Sequence, residues 1–538
     1  MAEHSTRLQM RAKSGCIRGT ALLSIASVLI LMSGVGSVGI VPTASAARAA
    51  AASKITVIEQ SPPTTLDPGR SNNGGGGAQY ASLAYDPLIY LAPSGKYVPD
   101  LATSWHYVGT GNTTFVLNLR PGVRFSDGST MTAQDVVKSI QYAHAGKTTA
   151  GSYLDNLVSV SAIGPLAVMC KFSTPQPDLQ TVFDQNEMSG DIIGPAGLAK
   201  VAALGTTTDG AGPYMADPSQ SVTGSSYVYV PTPHYWNHAL KRYSRYTFRV
   251  IANPRAQFSA LQTGQADIMA GSTTQAAAAK GAGLNIYASP SGFVALWIND
   301  YAGKLVPALG RQAVRQAIAY ATDRPLLAKA IFGEYAQATD EISQPGFTGY
   351  IPGTQWTDYY HYNLAKARSL MKSAGYANGF TMTLPVMPIQ SEQQTTEALA
   401  GELAQIGITI KEYPVQTFGE WVTAFISGKY PGGVLEFGTL PASIESTEIF
   451  EPTGIFNVFH NPQSQILALI AKGNAAGGAE STAVYQAAFK QWLIGGYADV
   501  LFLQDGLYFA RPGVVSNFDV GLNYPGTSLG PDFAFLSQ

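Results

Sequence analysis

The order of helix and strand signals along this 538-residue sequence predicts an α/β protein of two or three lobes. Three observations carry that expectation. In the C-terminal half, amphipathic helical stretches at 363–374, 395–406 and 417–427 alternate with short apolar strands at 380–385, 408–415 and 433–437. Each of those helices runs into a glycine, Gly375, Gly407 or Gly428. The chain is 46% hydrophobic and only 13% charged, a globular composition at a length beyond one simple core.

The N-terminus comes first in the chain and stands apart. Arg7, Arg11, Lys13 and Arg18 precede an apolar run from Ala21 to Val41, and Ala44-Ser45-Ala46 fits the small-x-small cleavage rule. Residues 1–46 are expected to be a secretory signal processed after Ala46, and 47–53 a disordered, alanine-rich leader. The alternative is a retained anchor, since the run approaches the roughly 20 residues of a spanning helix; Gly34, Gly36, Gly39 and Pro42 thin its hydrophobicity. Cys16 precedes the run, so there is no lipobox, and after cleavage only Cys170 remains, excluding an intramolecular disulfide or a cysteine metal site. Net charge of -2 gives no electrostatic ground for nucleic acid or an anionic membrane surface.

In the mature part, 54–60 reads as a strand, and the glycine run 74–77 as a loop, with no Gly-Lys-Ser/Thr to make it a phosphate site. Phe115 to Leu119 alternate as a half-buried strand that Pro121 and Gly122 break, and Asp127-Gly128 is a turn. Thr132 with Asp135 three residues on opens a helix whose Val136, Ile140 and Ala143 share a face. Asn253 caps a second helix with Pro254 at its first position, Phe258 and Leu261 inward and Gly264 at its end, followed by a strand at 266–269. Val314, Ile318 and Ala321 form the inner face of a third, with Arg311 and Arg315 on a solvated one. A helix at 481–493 and a strand-rich tail at 499–518 close the chain.

No enzyme reading finds residues to rest on. Gly526-Thr527-Ser528-Leu529-Gly530 spells a nucleophile elbow, but no helix and no histidine follow it. Ser369 and Lys372 match Ser-x-x-Lys without companion motifs. His234 and His238 have metal-ligand spacing in a turn-like context with no third ligand. No metal and no cofactor are expected.

Tyr85-Asp86-Pro87-Leu88, Pro99 to Trp105, Leu119 to Gly128 and Thr132 to Val136 follow one another at a spacing that resembles the family 5 extracellular solute-binding proteins, the peptide- and nickel-type receptors of bacterial ABC importers. Further matches are Gly212-Pro213-Tyr214, Tyr235-Trp236, Phe248 to Met269, Gly292 to Asp300 and Arg311 to Ala338. The resemblance spans about Lys54 to the C-terminus. It implies a class II, two-lobed periplasmic-binding-protein-like fold with a ligand cleft between the lobes: 54–79, 211–289 and 505–538 as lobe 1, 80–210 as a subdomain inserted in it, 290–504 as lobe 2, with hinges near Pro290 and Asp505. It implies a monomeric, exported receptor, periplasmic or cell-surface associated, that captures an oligopeptide or similar small solute and delivers it to a membrane permease. A receptor for an oligosaccharide or metal chelate, or an enzyme or sensor on the same scaffold, stands as the alternative.

In peptide-binding members, the strand after a Trp-bearing helix ends in Trp followed by an acidic grip on the ligand's amino group, often with Arg shortly before. Here the helix has Trp421 and Phe437 takes the aromatic position, while Val434 and Leu440-Pro441 stand where the ionic anchors would be. Glu436, alternating with Phe437 along the strand, and Glu445 are candidate replacements. Trp297 and Asn299, at the end of the strand entering lobe 2, and Tyr80 and Tyr85, flanking the entry to the inserted subdomain, complete the candidate site; for these four, packing is the competing role.

Overall fold

The computed structural model describes residues 54–71, 77–92, 95–146, 148–240, 242–344, 347–351, 359–387, 389–438, 440–454, 456–516 and 536. The signal and leader segments, Gly74 to Gly76 and the Gly526 to Gly530 motif lie outside them. No helix among the described residues is long and apolar enough to cross a membrane.

The chain begins with β1 (Lys54–Glu59), which buries Ile55 and Val57, and α1 (Gly77–Ser82). A hairpin of β2 (Ile89–Leu91) and β3 (Tyr97–Pro99) leads to β4 (Ala102–Tyr107) and β5 (Thr114–Leu119), then α2 (Ala133–His144), β6 (Leu157–Gly164) and β7 (Ala167–Phe172). These last four strands form a sheet in the order β4-β5-β7-β6. Thr132 and Asp135 make the expected capping box on α2, and Val136, Ile140 and Ala143 pack with Phe115, Leu117 and Cys170 in a core of its own.

Return strands β8 (Tyr214–Ala216), β9 (Ser226–Pro231) and β10 (Arg245–Val250) come back beside β1. Then α3 (Pro254–Gln262), capped by the Asn253 side chain, leads to β11 (Ile268–Gly271) and α4 (Thr273–Gly281). The expected strand start at Ala266 shifts to Ile268: the Ala266 amide still donates to the Ala260 carbonyl at the end of the helix, and the Asp267 carboxylate accepts from the Thr56 amide at 2.9 Å and pairs with Arg511 at 3.0 Å.

The second half opens with β12 (Asn285–Ile298), followed by α5 (Gln312–Ala321), α6 (Arg324–Phe332), β13 (Ala336–Ala338), α7 (Leu364–Ser373), β14 (Phe380–Val386), α8 (Gln390–Ala404), β15 (Ile408–Pro414), α9 (Phe418–Ile426), β16 (Gly432–Phe437), α10 (Ala442–Ile449), α11 (Ser464–Ala475), α12 (Gly478–Gly495) and β17 (Ala498–Ala510). Gly375, Gly407 and Gly428 all have positive φ beyond their helices, as expected. Among the described residues the tail is the one strand β17. Helix α8 begins at Gln390, not near Thr395, so the Thr395 and Thr396 hydroxyls lie inside it and donate back to the carbonyls of Ser391 and Glu392. Arg315 is not solvated: it is 6% exposed, and its guanidinium donates to the carbonyls of Gly495, Leu309 and Tyr301.

The large sheet runs β16-β12-β17-β11-β1-β10-β9-β8, with β13 also on β17. Its axis is the antiparallel β12–β17 pair, from Asn285 opposite Ala510 to Trp297 opposite Ala498, with register shifts between Pro290 and Gly292 and between Val294 and Ala295. At one end β17 pairs with β11 over a core of Ile58, Leu261 and Phe509. At the other end β12 pairs with β16 between cores that hold Val294, Ile318 and Phe502 on one face and Trp297, Phe456 and Trp492 on the other. Pro290 and Asp505 are register partners, and the ladder is irregular between Pro290 and Gly292.

The α5–α6 junction is clasped to β17 by a buried charge pair. Asp323 caps α6 through the Leu326 amide at 3.1 Å. The Arg324 guanidinium pairs with Asp499 and donates to the carbonyls of Ala319, Tyr360 and Val500, while the Thr322 hydroxyl donates to the other Asp499 oxygen at 2.6 Å. Arg324 and Asp499 are each 1% exposed, so removing one leaves the other buried and unneutralised. Arg324→Ala is expected to lower unfolding free energy by about 3–5 kcal/mol, measured by denaturant titration.

Candidate functional site: the cleft between the lobes

The subdomain built on β4 to β7 meets the α10–α12 region across long stretches of chain. Ile444 of α10 joins its core, with Leu440 packed against it, and the Ser443 hydroxyl donates to Asp178 at 2.5 Å. Asn112, in the β4–β5 turn at φ 52°, donates its side-chain amide to the carbonyls of Asn474 at 3.0 Å and Ala476 at 2.9 Å. Asparagine tolerates that left-handed backbone, which turns its amide outward from the hairpin.

Around these bonds the two sides bring carboxyl groups together. From the subdomain come Asp178, Asp184 and Glu187, and from α10 come Glu445 and Glu448, one helical turn apart. Asp184 is fully buried; one oxygen accepts from the Asn186 amide at 2.8 Å and the other has no partner. Burial first, and Glu187 second, push its pKa well up. Glu445 is 0% exposed with both oxygens unpartnered, and burial, then Glu448, raise it well above the carboxylate range. Burial brings Glu448 up to about 7, and Asp178 to about 6 against the opposing Ser443 bond. Tyr153 connects the two sides: after its own burial, Glu187 and Glu448 both raise its pKa.

A second polar group sits at the bend of the strand axis. The Ser291 hydroxyl donates to Glu436 at 2.5 Å, and Gln504 and Glu392 lie beside that carboxyl. Burial lifts Glu436 to about 7, with Ser291 opposing and Glu392 adding to the rise. Gly292 is required there, since a Cβ would lie 2.4 Å from the Phe437 carbonyl oxygen.

The candidate residues separate on this frame. Glu436 and Phe437 lie on opposite faces of β16: Glu436 meets Ser291, and half-buried Phe437 meets Phe293, Trp297 and Phe456. Trp297 and Trp421 are each 2% exposed in the second-lobe core; Trp421 stacks on Phe425 at 4.8 Å and donates to the Pro385 carbonyl, so neither presents an open face. Asn299 is 2% exposed with its Nδ2 unpartnered. Tyr80 and Tyr85 are in the first-lobe core, where Tyr80 packs on Phe248 and Tyr227 and Tyr85 accepts from the Asp209 amide at 3.4 Å. Asp184, Glu187 and Ser291 carried no sequence motif that would have singled them out. Among the described residues, no three His, Cys, Asp or Glu side chains converge as a metal site.

Glu436 makes stability depend on pH. It holds a proton in the folded chain up to about 7, whereas the unfolded chain releases it near the ordinary glutamate value of 4.5, so its contribution is lost as pH rises through that window. Glu436→Gln should flatten the fall in Tm between about pH 5 and about pH 8 and leave the variant more stable by at least about 2 °C at the upper end, read by calorimetry.

A family model described as bacterial extracellular solute-binding proteins, family 5 Middle, matches residues 96–443. Glutathione-binding protein GsiB from Shigella dysenteriae serotype 1 (strain Sd197) is 28% identical over 386 residues, covering 70% of this chain and 72% of the relative, and the Escherichia coli (strain K12) protein of the same name has the same identity and coverage. Among solved structures, the chain is similar to the binding protein AgaA in complex with agropinic acid from A. tumefaciens R10 (TM-score 0.74, 24% identity, 90% of this chain and 98% of that one). It is also similar to the ABC transporter substrate-binding protein CtaP of Listeria monocytogenes (TM-score 0.77, 18% identity, 90% and 99%). DppA from Helicobacter pylori in complex with peptide STSA superposes at a TM-score of 0.72 with 19% identity over 90% and 98%. With its two-lobed α/β fold and a family match over well more than half its length, the chain belongs to family 5 of the bacterial extracellular solute-binding proteins, the substrate-binding components of ABC importers.

Proposed function

We propose that the mature chain is an exported receptor that closes its lobes on a small organic solute of the peptide class, without turning it over, and presents it to a membrane permease. In this reading residues 1–46 are removed after Ala46, the chain acts as a monomer, and the lobes are 54–79 with 211–289 and 505–538, carrying the insert 80–210, against 290–504. The single observation that carries the reading is the set of polar groups contributed to one place by both sides: buried Asp178, Asp184 and Glu187 from the insert, and buried Ser443 and Glu445 with half-buried Glu448 from α10. A receptor holds its ligand with a few oriented polar groups in an otherwise closed cleft. The names of the relatives support the class, since one is called glutathione-binding and another is in complex with a peptide. Glu445 then serves as acidic anchor and Phe437 as the aromatic wall, while Trp297, Trp421, Tyr80 and Tyr85 hold that wall and the opposing lobe rigid. Glu436 and Asn299 act at the strand axis that bears the cleft.

Thermal-shift measurements on the mature chain with glutathione and di- to tetrapeptides test this. A ligand at 100 times its Kd adds about 2.7 kcal/mol of stability, and chromatography of the mixtures should return every solute intact. If no peptide shifts Tm, or if a peptide is consumed, the reading fails. Asn112→Ala removes two bonds of the closed form, so it should weaken apparent affinity roughly tenfold by calorimetric titration.

A further inference from the structure

A groove of about 1110 Å³ lies between α4 on one side and α6 with β13 on the other, so its walls come from the two lobes proposed above. Its lining is mainly apolar: Ala276, Ala328 and Phe332 are buried, and Ile331 and Tyr335 lie beside them. The α6 wall stands on the face of the sheet away from the residues assigned to the solute. Leu327 and Phe332 share a core with Val294 and Phe502, whereas Trp297 and Phe437 pack in the core on the other face. The Tyr335 carbonyl accepts from the Asp505 amide at 2.9 Å, so one lining residue is bonded to β17 where the chain crosses between lobes.

Charge around this lining is unbalanced. Lys280 enters from α4 and Lys329 from α6, the one acid in the lining is Glu334, and among the described residues neither lysine is in an ion pair. Leu326, one turn before Lys329 and 58% exposed, extends the apolar surface on the same side of the helix. Ligand clefts are mostly apolar with a few polar groups that fix orientation, and here those groups are one cation on each wall. We propose that this groove is a second ligand site, for an anionic amphiphile such as a fatty-acid carboxylate or an aromatic sulfonate, whose acid group the Lys280 and Lys329 ammoniums hold from opposite walls. A molecule seated there touches both lobes and favours the arrangement that forms the groove. The site uses no residue of the solute cleft, so it stands independently of the receptor reading.

The test is fluorescence titration of the mature chain with anilinonaphthalene sulfonate beside phenylnaphthylamine, which has the same rings and no sulfonate. The sulfonate should occupy a single site about tenfold more tightly than the neutral dye, and should be displaced by decanoate and not by decyltrimethylammonium. Lys280→Glu combined with Lys329→Glu should weaken it about tenfold, and Ala277→Trp, at an exposed lining position, should fill the groove and abolish binding. All three positions are exposed, so the ligand-free variants should melt with the parent. Equal binding of the two dyes, or indifference to the lysine reversals, overturns the anionic assignment. Sulfonate binding that survives Ala277→Trp lies elsewhere on the chain and overturns the site, as does the absence of binding.

Discussion

Everything in this molecule hangs on one strand pair. β12 and β17 pair from Asn285 opposite Ala510 to Trp297 opposite Ala498; β12 also pairs with β16, and β17 with β11 at one end and β13 nearer its middle. Sliding one strand along the other would break this ladder, whereas twist and bend are accommodated at its irregular steps, Pro290 to Gly292 and Val294 to Ala295. Gly292 fits there because the Phe437 carbonyl closes over it, and Ser291 beside it holds Glu436. The polar group at the bend and the wall residue Phe437 are consecutive in β16, so alternation assigns one to each face.

A second constraint fixes the far lobe. The Thr322-Asp323-Arg324 turn spends all its polar capacity on structure: a cap for α6, a charge pair to Asp499 and three carbonyls. Arg315 does the same one helix earlier. Both arginines lie in the segment that resembles the family hallmark, and both act as internal fasteners of helices to the sheet. The hallmark segments identify the scaffold, and the solute is read elsewhere.

Local chemistry was legible in the sequence. Thr132 and Asn253 cap the helices expected of them, and Asn363 and Thr417, read as helix starts, also cap theirs, because a cap depends on residues within one turn. What depended on distant partners was not legible. Arg315 looked solvated by helical phase, yet carbonyls from the end of α12 wait for it some 180 positions later. Thr395 looked like a helix start, although a hydroxyl can equally bond back one turn. Of the candidate site, Glu445 was visible as an acid out of place in its family frame; Asp184 lies in an aperiodic stretch that carries no motif to mark it. The aromatic candidates Trp297, Trp421, Tyr80 and Tyr85 were real features of the chain whose packing role burial alone reveals.

Helix α10 places three unlike duties on eight residues: Ser443 latches the insert, Ile444 plugs its core, and Glu445 buries a carboxyl with neither oxygen bonded. Those duties are distinguished only by angle around one helix axis, and each residue step is about 100°. A single-residue insertion or deletion ahead of Ser443 would therefore rotate every duty onto the wrong neighbour while leaving the sequence nearly unchanged. The docking of the insert in this chain is set by the rotational phase of one short helix, a quantity that length variation in the preceding loop can reset in a single step.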